Sequence, residues 1–224
     1  AIASKEIHPH INVYGGEERF WMGPEGGQFA IFFKKGDQFR FEDWQTPAVI
    51  DTEPFEVVTV SRMHTAFTKQ AQLTNMSGYK FDIQIDRSIK LLIKSQVQSL
   101  LGLSIPEDVR MAAFQSDNKL KNKGVTTWAK ETGMLSIWLL NMLKPSSTVV
   151  MPFKAGPESE LGPKVNEYFG KVPAKRLVVK DDVLFFSGDG QCRGKIGIGP
   201  KRAKPIIGSY DARENVLTLV HYTF

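Results

Sequence analysis

Apolar and polar side chains alternate most strictly in YKFDIQIDRSIKLL, residues 79–92. Phe81, Ile83 and Ile85 fall on one face, and Asp82, Gln84 and Asp86 on the other. A period of two predicts a half-buried antiparallel strand. The preceding HTAFTKQAQLTN (64–75) is also strand-like, and NMSG (75–78) supplies turn chemistry between the two, which predicts a hairpin. Further strands are predicted over QFAIFFKK (28–35), FEVVTVSR (55–62), MLSIWLLNML (134–143), STVVMPF (147–153), RLVVKDDVLFFSG (176–188), GKIGIG (194–199) and NVLTLVHYTF (215–224).

Helical spacing is rare. SQVQSLLGL (95–103) places Val97, Leu100 and Leu101 at i, i+3 and i+4, with Ser95 as the expected N-cap. KVNEYFGK (164–171) is expected to form a second short helix that stops at Gly170. Regular strands with so few helices predict a large antiparallel β-sandwich or barrel, and they argue against a parallel α/β sheet. There is no internal repeat and no low-complexity linker, so one domain over 1–224 is expected. The first residue is Ala1 and the last stretch is apolar, which suggests a processed or incompletely represented polypeptide.

Composition changes this picture little. A hydrophobic fraction of 42% and a charged fraction of 24% are ordinary for a globular chain. The net charge of +5 raises the question of nucleic acid, but the basic residues are dispersed. The densest runs, PKRAKP (200–205) and KLKNKG (119–124), lack interleaved aromatics and read as solvated loops, so no nucleic-acid partner is expected. Cys192 is the single cysteine, which excludes an intramolecular disulfide. No apolar run approaches the roughly 18 residues of a membrane span.

Three motifs bear on chemistry. GDGQCRGKIGIG (188–199) fails as a P-loop, because the required glycine is Asp189 and Ile196 follows Lys195. It reads as a glycine-bearing turn and strand. HPH puts His8 and His10 on one face of an extended segment, where they could act as acid and base. No HExxH or CxxC pattern accompanies them, so neither a metal set nor a cofactor is assigned. The third motif is GGEERFWMGPEGG, residues 15–27. Its glycine pairs permit tight turns, and Arg19, Trp21 and Glu25 between them suit a sugar: an indole stacks on a pyranose, while charged groups bind hydroxyls. An equal alternative places Trp21 in the core and joins Arg19 to Glu25 in an internal ion pair. Arg62 and His64 complete the set of expected substrate-binding residues.

Three stretches, taken in order, carry a resemblance: GGEERFWMGPEGG, then QLTNMSGYKFDIQIDRSI, then GMLSIWLLNMLKPSSTVVMPF. Together they resemble the landmarks of the galactose-mutarotase-like superfamily, which includes the aldose 1-epimerases. The nearest likeness is to an uncharacterised bacterial branch, and it covers most of residues 11–153. The resemblance implies a β-supersandwich of two large antiparallel sheets with one or two short helices. It also implies a sugar held on a concave sheet, with an early arginine, here Arg19, among the groups that hold it. In catalytic members a histidine acid and a glutamate base open and reclose the ring. This chain departs from that pattern. Residues 82–98 contain no histidine, and Glu214 in DAREN is a turn residue rather than a counterpart of the glutamate.

The expected function is therefore a carbohydrate-binding protein, with a sugar epimerase or mutarotase as its possible catalytic form and His8 and His10 as the catalytic groups. The alternatives are a non-catalytic carbohydrate-binding or accessory module, and a structural domain of an envelope assembly. The resemblance implies a periplasmic or secreted location, with the cytoplasm as the other option.

Overall fold

A computed structural model describes residues 7–12 and 16–223. The fold is mainly β, as expected, with several antiparallel sheets and three short α-helices. The chain divides into two compact units, Ala1–Met142 and Leu143–Phe224.

The amino-terminal unit has a four-stranded sheet made of β2 (Glu56–Val60), β3 (His64–Thr74), β4 (Lys80–Leu91) and β5 (Phe114–Asn122), in that order. The predicted hairpin is present: β3 pairs with β4 from His64↔Lys90 to Thr74↔Lys80, and Gly78 turns at φ 87°. The alternation in β4 also holds, with Phe81, Ile83 and Ile85 all buried. A two-stranded ribbon, β1 (Gly16–Gly23) with β6 (Ser136–Met142), contributes Phe20, Trp21 and Met22 to the same core. Gly23 belongs to that packing, because a Cβ there would lie 2.8 Å from the Trp138 indole. Residues 16–27 are therefore a core strand running into a turn, which places Trp21 as the second of the two readings of this motif had it.

Three further expectations are corrected. Residues 28–35 form no strand, although Ala30, Ile31, Phe32 and Phe33 are buried. Their unbroken apolarity reports burial, which strand and irregular backbone can share. The predicted helix exists as α2, Lys94–Leu101, after α1, Ala48–Asp51, but its N-cap is Ile93 rather than Ser95. The Ile93 amide donates to Gln96 Oε1 at 3.1 Å, and Gly102 ends the helix in the left-handed region. KLKNKG does not lie in a loop alone, since Lys119–Asn122 belong to β5.

There Lys121 binds Asp86 at 2.5 Å, and Gln84 and Thr68 also donate to that carboxylate. These hydrogen bonds, led by Gln84, lower the Asp86 pKa to about 2. A folded value below the ordinary one means the stabilisation is fully present above the ordinary carboxylate pKa. It is lost as the pH falls toward 2. Because Lys121 is half in solvent, the expected contribution is about 1 kcal/mol at neutral pH. Urea melts of Asp86→Asn against the parent should show that gap closing between roughly pH 4 and pH 2. A gap independent of pH would contradict this reading.

The carboxy-terminal unit has a five-stranded sheet in the order β13-β12-β7-β10-β9. Its strands are β7 (Ser146–Pro152), β9 (Leu177–Val179), β10 (Val183–Gly188), β12 (Ile206–Asp211) and β13 (Val216–His221). β8 (Asn166–Glu167) and β11 (Ile196–Gly197) form a separate pair, and α3 is Glu158–Leu161. The helix expected over 164–171 is replaced by β8, with Gly170 in a left-handed turn at φ 89°. Arg202, read from the sequence as part of a solvated basic loop, is fully buried.

Candidate functional site

Chain order and buried aromatics bring most of the expected site residues into one region of the amino-terminal unit. Residues 7–12 bend at Pro9 and His10 instead of running extended, so His8 and His10 do not share a strand face. Asn12 closes the bend: its Oδ1 accepts from the His8 amide at 2.8 Å, and its Nδ2 donates to the His8 carbonyl at 3.1 Å. His8 is exposed. His10 is half-buried, with Nδ1 2.8 Å from the Trp44 carbonyl. A carbonyl only accepts, so this contact puts the proton on Nδ1 and leaves Nε2 as the basic nitrogen of the neutral ring.

Arg19 and Asp51 form a tight pair at 2.5 Å, with side-chain exposures of 16% and 6%. Arg19 also donates to the carbonyls of Asn12 (2.7 Å) and Ile50 (3.1 Å) and lies over the Trp21 ring at 4.7 Å. Asp51 accepts from Asn12 Nδ2 at 2.7 Å. The pairing expected between Arg19 and Glu25 is thus replaced by Arg19 with Asp51. Glu25 instead accepts from the Trp21 indole N–H at 2.9 Å. Trp21 is 1% exposed and presents no open face on which a sugar could stack. Arg62 and His64 are not brought into this region. Arg62 lies in the exposed bend before β3, and His64 opens β3, six positions and about 20 Å of strand from Gln70.

A cleft lies beside these groups. β2 pairs with β3 only over Thr65–Thr68, so among the described residues Lys69–Thr74 has one edge without a strand neighbour. Residues 31–34 and 45–49 run along that edge and enclose about 540 Å³ that opens to solvent. Gln70, Gln72 and Thr74 of β3 and Gln45 and Thr46 of the 45–49 segment are among its lining residues, and Phe32 and Phe33 are buried there in the core. Aromatic stacking ties the cleft to the region above. Phe32 packs on Trp44 at 4.4 Å and on Trp21 at 5.3 Å, and the amide and hydroxyl of Thr46 both donate to the His10 carbonyl at 2.9 Å. Glu53, on the cleft wall, pairs with Lys69 at 2.7 Å.

Sequence reasoning missed a second polar cluster. Arg87 continues the odd-numbered face of β4 beyond Ile85, where an apolar residue would be the ordinary choice. It donates to Glu18, whose other oxygen accepts from Ser116 at 2.8 Å, and Asn118 donates to Ser116 at 3.1 Å. Burial holds the Arg87 guanidinium below its ordinary value, and the Glu18 charge opposes that shift. Asn118 Oδ1 is buried without a hydrogen-bond partner among the described residues. The signal was available in the parity of β4, which places Arg87 on the inward face.

Among the described residues, no group of three or more His, Cys, Asp or Glu side chains is arranged to hold a metal ion. No helix of the described residues is long and apolar enough to cross a membrane. What emerges is a mainly β protein of two units with an open, polar-lined cleft along a free strand edge. The chain belongs to the family of unknown function DUF6786, whose family model matches residues 1–224. Nothing matches it among curated proteins or among solved structures.

Proposed function

We propose that this protein binds a saccharide in the cleft along the free edge of β3. The observation that carries the reading is the chemistry of the lining. β3 brings Gln70 and Thr74 to the cleft and the 45–49 segment brings Gln45, so uncharged donors and acceptors line it, beside Gln72, which binds Asp82, and Thr46, whose hydroxyl meets Trp44 and the His10 carbonyl. Amides and hydroxyls can each give and take a hydrogen bond, which matches the dual character of sugar hydroxyls. A volume of about 540 Å³ falls within the ordinary range for small-ligand sites. The unpaired edge of β3 adds backbone N–H and C=O groups. The resemblance to the galactose-mutarotase-like superfamily points to the same ligand class.

Binding is the reading with the most support. Turnover at an anomeric carbon needs an acid and a base aimed at one ring. His10 meets the cleft wall through its backbone carbonyl, which accepts from Thr46, and Glu53 on that wall is held by Lys69. An epimerase form of the proposal would use His10 Nε2 and Glu53 in those roles.

The test is thermal denaturation with a panel of neutral mono- and oligosaccharides, joined to anomer-exchange NMR. A ligand selective for the native state must raise the melting temperature. The double variant Gln45→Ala/Gln70→Ala should bind about tenfold more weakly, from the loss of two hydrogen bonds worth about 1 kcal/mol each, partly replaced by water. Accelerated exchange that His10→Ala abolishes would make the protein an epimerase. Stabilisation without exchange would make it a binding module. No response to any saccharide would favour the structural-domain alternative.

A further inference from the structure

We propose that the surface around Tyr168 and Phe169 in the carboxy-terminal unit binds the acidic groups of an anionic glycan. The inference rests on the saccharide reading above and names the class of saccharide. It begins with the distribution of charge. Residues 143–224 hold 13 of the 29 Lys and Arg and 8 of the 24 Asp and Glu, a surplus of +5. Residues 1–142 hold 16 of each, so the whole net charge of the chain belongs to the second unit.

Part of that surplus gathers on aromatic rings. Tyr168 and Phe169 are 60% and 56% exposed. The Arg193 guanidinium lies 4.9 Å from the Phe169 centroid, and the Lys195 ammonium lies 5.7 Å from that of Tyr168 and 5.9 Å from that of Phe169. Lys171 and Arg193 line a hollow of about 40 Å³ beside Phe169. Two acids stand nearby, and neither forms a salt bridge with these cations. Asp189 binds Arg176, and Glu167 accepts from the Val172 amide at 2.5 Å. Among the described residues, none of Lys171, Arg193 and Lys195 has a carboxylate in salt-bridge range. Like charges held together without a counter-ion repel, and an arriving anion relieves that repulsion.

The rings are positioned, not merely left outside. A Cβ on Gly197 would stand 2.8 Å from the Tyr168 ring, so the glycine leaves room for the hydroxyl end of that ring beside β11. The Tyr168 amide donates to the Lys195 carbonyl at 2.9 Å, which fixes ring and cation on one strand pair. Arg193 lies over Phe169 and Lys195 over both rings, so a pyranose that meets the exposed part of these rings can pair its carboxylate or sulfate with the same cations. Nucleic acid is the less apt partner, because its affinity draws on many phosphate contacts and this face offers three uncommitted cations.

Calorimetry can decide this with four probes: a galacturonate oligomer, its neutral methyl ester, a sulfated galactan oligomer and oligothymidylate. The expected result is salt-sensitive binding of the galacturonate or the sulfated oligomer, which separates carboxylate from sulfate as the preferred anion. The ester should bind at least tenfold more weakly. Arg193→Ala/Lys195→Ala and Tyr168→Ala should each weaken acidic-glycan binding about tenfold without lowering the melting temperature. The cleft variant Gln45→Ala/Gln70→Ala should keep the preference for acid over ester. Equal binding of acid and ester, unchanged binding by the surface variants, or tighter binding of oligothymidylate would overturn the proposal. Loss of neutral-saccharide binding in the cleft variant reports on the cleft alone, so failure of the two ideas can be told apart.

Discussion

Asp51→Ala is expected to destabilise the amino-terminal unit by about 3 kcal/mol, because it breaks a largely buried ion pair with the Arg19 guanidinium. Asp51 is 6% exposed and receives Arg19, the Asn12 side chain and, at 3.2 Å, the Asn12 amide. All three donors lose their acceptor together. Asp51→Asn should cost less, since one oxygen still accepts. The double variant Arg19→Met/Asp51→Leu should recover much of the loss, because an apolar pair of similar volume avoids desolvating two ions. Urea unfolding of the four proteins measures this. An Asp51→Ala loss below 1 kcal/mol would show that the pair is already solvated. The result also bears on function: if Arg19 holds α1 to the bend at residues 8–12, Arg19→Ala should lower the melting temperature before it changes affinity for any sugar.

Arg202→Ala is expected to have a comparable effect in the carboxy-terminal unit, about 3 kcal/mol, from removing a fully buried side chain and stripping three carbonyls of their donor. Nε donates to the Gly162 carbonyl at 2.7 Å, Nη1 to that of Lys154 at 2.9 Å and Nη2 to that of Gly156 at 3.0 Å. These carbonyls flank α3, so a single guanidinium ties the 154–162 loop to the turn before β12. The guanidinium also stands 5.9 Å from the Phe153 ring, a core residue of this unit. Arg202→Lys should recover only part of the loss, because an ammonium cannot present a planar fork to three fixed acceptors. The measurement is the denaturant midpoint of the transition that carries this unit. If Arg202→Lys matches the parent, the fork geometry is not what holds the loop.

What the sequence disclosed follows from which signals are local. The β3–β4 hairpin was legible because alternation and the NMSG turn lie within one stretch, and each fixes the same register. Residues 28–35 misled because an unbroken apolar run signals burial without specifying backbone. β5 was hidden by its composition: FQSDNKLKN is mostly polar and gains its place by pairing with β4. Arg202 and Arg19 looked like surface chemistry because the sequence does not show which carbonyls and carboxylates the fold will bring to them. Trp21 was open to two readings, and its 1% exposure selects the core. The cleft itself was invisible, since 31–34, 45–49 and 70–74 meet only in three dimensions and Gln45 and Gln70 carry no motif. The nucleic-acid question had the same root. Aromatics and cations do not interleave in sequence, yet Tyr168 and Phe169 meet Arg193 and Lys195 across the β8–β11 pair.

The most direct test of the central claim is amide chemical-shift mapping during titration with the saccharide that most raises the melting temperature. Perturbations should concentrate in residues 31–34, 45–49 and 69–74, with those of Gln45 and Gln70 among the largest. Saturable perturbations that avoid the free edge of β3, or no saturable change with any neutral or acidic saccharide, would contradict it.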